Sequence, residues 1–155
     1  MKLYTCLKPD AIIVDCKATN TESLLKELIH HLKMNNRISD EDYIYKKLME
    51  REKMGSTSVG NHSAVPHARI KDIKDVIVAV GLSRNGIIYS EIDKEVSHFF
   101  VLILAPNSSP IVHLQVLAAA ATLIKKPGKW LSELLECQHP SDVIHVIQNY
   151  EEDDE

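Results

Sequence analysis

Two stretches without a formal charge, VIVAVGL at 76–82 and HFFVLILA at 98–105, limit what this chain can fold into more than anything else in it. Each has the length of a strand and falls far short of the roughly 20 apolar residues that span a bilayer. Neither alternates apolar with polar residues, as a strand with one wet face would. Both faces of both strands must therefore be covered. A sheet sandwiched between helices does this, provided the chain supplies the helices.

It does. Leu24, Leu25, Leu28, Ile29 and Leu32 recur at helical spacing behind Thr21, a candidate N-cap, and Asn35-Asn36 breaks the run. Ser39 can cap a second helix. There Tyr43, Ile44, Leu48 and Met49 face inward, and Asp40, Glu41 and Asp42 lie near the positive end; it fades by Gly55. Ser109-Pro110 opens a third, with Val112, Val116, Leu117, Ala120, Leu123 and Ile124 as its apolar set and Pro127-Gly128 beyond its end. Shorter helices are predicted at 129–136 and 140–149. AIIVDC (11–16) reads as a further strand, Ser83-Arg84-Asn85-Gly86 as a turn between strand pieces, and 56–70 as irregular. The expected fold is α/β: a single-domain sandwich over 1–150 with a central mixed β-sheet flanked by helices. The acidic tail EEDDE (151–155) is expected to be disordered.

Charge and cysteine content narrow the function. The formal charge is −4, but the last five residues carry five negatives and the rest sums to +1. That offers no basic surface for nucleic acid. Cys6, Cys16 and Cys137 form no CxxC pair, which fits free thiols in a reducing cytoplasm. With no signal peptide and no apolar span, a soluble cytoplasmic protein without direct membrane insertion is expected. GSTSVG (55–60) opens like a phosphate-binding loop, yet Asn61-His62 stand where Lys-Ser/Thr are required. His30 and His31 are helix neighbours about 100° apart, and His139 and His145 straddle a helix start, so neither pair has ligand spacing. No metal and no cofactor is called for.

Three residues remain. In VGNHSAVPHAR (59–69), His67 follows Pro66, whose ring fixes its own backbone and drives Val65 towards extended geometry. An imidazole there is either an exposed group on an edge turn or one held at a strand end for use. His113 falls in the first turn of the helix that starts near Ser109, where free N–H groups favour anions. Alone, it is an ordinary helix-start histidine. Arg51 ends a charged helix, where it is either solvated or free to fork onto a phosphoryl group. Together they fit one chemistry, phosphoryl transfer through phosphohistidine, because a neutral imidazole is a nucleophile at cytoplasmic pH.

The segment EREKMGSTSVGNHSAVPHA resembles the active-site region of enzyme IIA domains of the fructose/mannitol class in the bacterial phosphoenolpyruvate-dependent phosphotransferase system, a family that includes the nitrogen-regulatory IIA proteins. Glu52, Val59, Gly60, Ala64, Val65, Pro66, His67 and Ala68 fit its pattern. The likeness extends through Ile92-Asp93, HFFVLILA and HLQVLAAAATLI, leaving only the acidic tail outside. It implies that His67 is phosphorylated by an HPr-like carrier, that His113 is the second active-site histidine and that Arg51 is the active-site arginine. The implied partners downstream are a IIB component or a regulatory target. A lone unit of this size favours the nitrogen-regulatory branch over a sugar-uptake IIA component; a degenerate domain that only binds a partner is a third reading. Ser63 stands where the pattern has an aliphatic residue and Ala68 where Gly is usual. His62 either crowds the phosphoryl pocket, adds a hydrogen bond to it or faces solvent.

Overall fold

A computed structural model describes residues 1–153, and its centre is the pair of apolar runs. Strand β5 (Ile77–Ile88) and strand β6 (Val96–Pro106) pair antiparallel, from Ile77 opposite Leu104 to Ile88 opposite Val96. The short β1 (Ile12–Ile13) lies parallel to β5, while β3 (Ser63–Ala64) and β4 (His67–Ile70) both run parallel to β6. Strand β2 (Ser58–Gly60) closes the edge antiparallel to β3. The sheet is mixed, as expected.

Its two faces have separate cores. Val78, Val80, Leu82, Phe99, Val101 and Ile103 pack against α3 (Pro110–Ile124), α4 (Trp130–Leu135) and α5 (Pro140–Glu152). Ala79, Phe100, Leu102 and Leu104 pack against α1 (Thr21–Met34) and α2 (Glu41–Lys53). Every residue from Phe99 to Ala105 is fully buried. Truncating either phenylalanine would cost about 3–5 kcal/mol, since no solvent-facing side exists into which the cavity could relax.

Local chemistry sets the boundaries, with several departures from expectation. Asn20 rather than Thr21 caps α1, in a reciprocal pair with Ser23, and Asp40 rather than Ser39 caps α2 by accepting from Tyr43 N–H. Residues 83–86 do not form a turn: β5 runs through them with a shift of register, Gly86 taking φ +82° and the Ser83 hydroxyl accepting its N–H. Segment 56–70 is not irregular either, since it supplies three short strands. AIIVDC contributes only two strand residues.

The acidic run is also partly structured. Helix α5 extends to Glu152, and Glu151 is buried, its carboxylate accepting the N–H groups of Leu3 (2.6 Å) and Tyr4 (2.7 Å). A carboxylate that caps the chain's first turn folds with the domain. Residues 154 and 155 lie outside the described residues. Among the described residues no helix is long and apolar enough to cross a membrane.

Candidate active site

The site is built where β4 starts. Gly60, Asn61 and His62 all take positive φ, turning the chain from β2 into β3. The His62 carbonyl accepts from His98 and Phe99, and the Pro66 carbonyl accepts from Ile103 (2.9 Å), so the segment between them is anchored to β6 at both ends. His67 is the first residue of β4, opposite Ile103. Its Nδ1–H donates to the Val65 carbonyl at 2.7 Å. That bond commits Nδ1 as the protonated nitrogen and leaves the lone pair on Nε2.

His113 arrives from α3 and is buried. Its ring meets His67 edge to face, centroids 5.3 Å apart at 76°. Its Nδ1 is buried without a partner. Arg51, in the last turn of α2, lines the same cavity and is steadied by Nη1 donating to the Gly55 carbonyl at 2.7 Å. The three residues picked from the sequence thus meet in one place, a cavity of about 410 Å³.

The sequence reading missed other residues there. Lys47 and Arg69 bring two further cations to the wall, against the single carboxylate of Glu50, with Asn107, Met54 and Ala68 completing it. Arg69 carried a usable signal: two residues beyond His67 on the same strand, it shares its face. Lys47 and Asn107 had none, because only the fold brings them near residue 67.

The electrostatics hold both imidazoles neutral. Burial pushes His67 below its ordinary value; the Val65 carbonyl opposes this, Arg51 lowers it further and Glu52 pulls it up. Burial also lowers His113, aided by His67 and then Arg69. The result is a pair of uncharged imidazoles in a cavity with three cations on its wall, an environment of positive potential.

His62 lies elsewhere. Its exposed ring sits 6.1 Å from that of His98, and its Nδ1–H donates to the Val96 carbonyl at 2.9 Å. It neither crowds the cavity nor bonds into it. His30 is exposed beside Glu41, whereas His31 buries an unpartnered Nε2. All three cysteines are free thiols. Among the described residues no group of three or more His, Cys, Asp or Glu is placed to hold a metal ion.

Fold and cavity define a class: a helix-flanked mixed sheet with paired imidazoles in a cavity walled by three cations. Residues 5–150 match the family described as "Phosphoenolpyruvate-dependent sugar phosphotransferase system, EIIA 2", and the chain belongs to it. It is 24% identical over 151 residues to the fructose-specific EIIABC component of Bacillus subtilis, covering 97% of this chain but only 24% of that protein. It is 26% identical to a nitrogen regulatory protein of Bradyrhizobium diazoefficiens, covering 95% and 94% of the two chains. The crystal structure of the nitrogen regulatory protein IIA-Ntr from Neisseria meningitidis shares the fold, with TM-score 0.83, 22% identity and coverage of 94% and 98%. The chain is thus an EIIA-type domain related to both sugar-specific and nitrogen-regulatory proteins.

Proposed function

We propose that this domain is a phosphocarrier: His67 accepts a phosphoryl group from a phosphorylated HPr-like protein and hands it on. What supports this most directly is the neutral His67–His113 pair at 5.3 Å inside a cavity with three cations on its wall. The Nε2 lone pair attacks phosphorus. As the new N–P bond forms, the donor's P–N bond breaks and its electron pair returns to the donor ring. His67 keeps its Nδ1 proton, and the Val65 carbonyl faces the positive charge that develops on the ring. Arg51 and Arg69 neutralise the phosphoryl oxygens, and His113 offers them an imidazole N–H. Positioning and charge do the work.

Similarity to nitrogen regulatory proteins motivates the regulatory branch as the reading to test first. On that reading the phosphoryl charge, about −1.5 to −2, switches which cytoplasmic protein is bound. A sugar-uptake role would replace that target with a IIB component.

The test is incubation with phosphoenolpyruvate, the first enzyme of the cascade and HPr. An acid-labile, base-stable phosphate is expected on the wild type and none on His67→Ala. No labelling where a control EIIA protein is labelled would make this a binding module.

A further inference from the structure

We infer that Glu52 is a positioning residue, which through Thr57 and Tyr89 sets both the orientation of the His67 ring and the place of Arg51. The inference rests on the phosphocarrier reading of His67 and extends it to a carboxylate that does not face the cavity. Glu52 instead lines a separate depression with Tyr89 and Ser56.

Its side chain is the hub of a partly buried network. The Tyr89 hydroxyl donates to Oε1 at 2.6 Å, Thr57 N–H donates to Oε2 at 3.1 Å, and the Thr57 hydroxyl also bonds Oε1. Thr57 Oγ1 and Tyr89 Oη lie 3.1 Å apart. Thr57 and Tyr89 are only 4% and 5% exposed, so water cannot replace these bonds without opening the core.

Two branches leave this hub for the site. In one, the Thr57 carbonyl accepts Val65 N–H at 3.0 Å, and the Val65 carbonyl is the group that holds His67 Nδ1–H. In the other, the link between Glu52 and Thr57 closes the loop at Gly55, whose carbonyl receives the Arg51 guanidinium. Releasing Glu52 therefore loosens the nucleophile and its cation together while leaving every residue on the cavity wall unchanged. Tyr89 is the anchor: burial, reinforced by Glu52, holds its hydroxyl protonated, a fixed donor.

The experiment compares wild type, Glu52→Ala, Glu52→Gln and Tyr89→Phe in phosphoryl transfer from phospho-HPr, with folding checked by thermal melt. Imidazole ¹⁵N spectra of the unphosphorylated proteins are recorded in parallel. For Glu52→Ala we expect kcat to fall between about tenfold and a hundredfold with KM for the donor within about twofold, the signature of misplaced reacting groups. The His67 spectrum should move from one Nδ1–H tautomer to a mixture. Glu52→Gln, whose amide oxygen still accepts, should recover most of the loss, and Tyr89→Phe should fall between the two. A rise in KM at constant kcat would instead put Glu52 in the docking surface and overturn the inference. So would an unchanged His67 spectrum in a folded Glu52→Ala. Because the spectra need no phosphate, a wild type that refuses phosphate would count against the phosphocarrier reading and still leave the positioning role tested.

Discussion

The molecule carries two pairs of histidines on either side of one strand's length, and the contrast between them is instructive. His67 and His113 sit with centroids 5.3 Å apart, His62 and His98 with centroids 6.1 Å apart. In both pairs the rings are oriented by backbone: His67 donates to Val65, His62 to Val96 and His98 to Ser83 at 2.7 Å. A backbone-oriented imidazole is therefore not by itself a site. What sets the first pair apart is its surroundings, namely burial, which keeps both rings uncharged, and the cations Lys47, Arg51 and Arg69 around a space where an anion fits. The second pair has an exposed member, and neither of its rings lines that cavity.

The sharpest way to break this contrast is to delete one ring from each pair. His67→Ala should abolish phosphate uptake, whereas His62→Ala should leave it within about twofold. Phosphate retained in the first or lost in the second would erase the distinction.

Arg51→Met tests the cations. Uptake should slow by about a hundredfold, the usual loss when one preorganised charge partner is removed. The pH profile carries a second reading. Uptake needs His67 uncharged, and its folded value lies below the ordinary one, so the rate should hold near pH 7 and fall only through an inflection below about 6.5. Arg51 lowers that value, so removing it should move the inflection upward. The same sign applies to stability: the unfolded chain binds these protons more readily, so the melting temperature should drop as pH falls below about 6.5.

Gly86→Ala sharpens the other side. A Cβ there would lie 2.1 Å from Val96 Cγ1 and 2.8 Å from the His98 ring, on backbone at φ +82°. We expect a loss of about 1–3 kcal/mol, read by chemical denaturation, with uptake by the folded fraction unchanged. A matching fall in uptake would couple the two ends of β6. The smallest effect belongs to His62→Asn. His62 is exposed at φ 60°, a conformation asparagine accepts, so stability should shift by about 0.5 kcal/mol or less.

How much of this was legible in the sequence varies with how local each feature is. The run Phe99–Ala105 declared a strand buried on both faces, and the helix faces followed from spacing alone. His67, His113 and Arg51 could be picked because each sits at a local landmark: after a proline, in a helix's first turn, at a helix end. Strands β3 and β4 could not be read, since two to four residues become strand only by pairing with β6, more than 30 residues onward. Ser83–Gly86 looked like a turn because its residues suit one, yet pairing with β6 carries the strand through. Glu151 read as part of a solvated acidic run because its partners, Leu3 and Tyr4, lie at the opposite end of the chain.

The most direct measurement is heteronuclear NMR of the phosphorylated protein, using ³¹P–¹⁵N coupling and ring proton correlations to identify the atom that carries phosphorus. Phosphorus on Nε2 of His67, with its Nδ1–H still donating to Val65, is the predicted result. Phosphorus on Nδ1 of that ring, or on His113 or His62, would contradict the account.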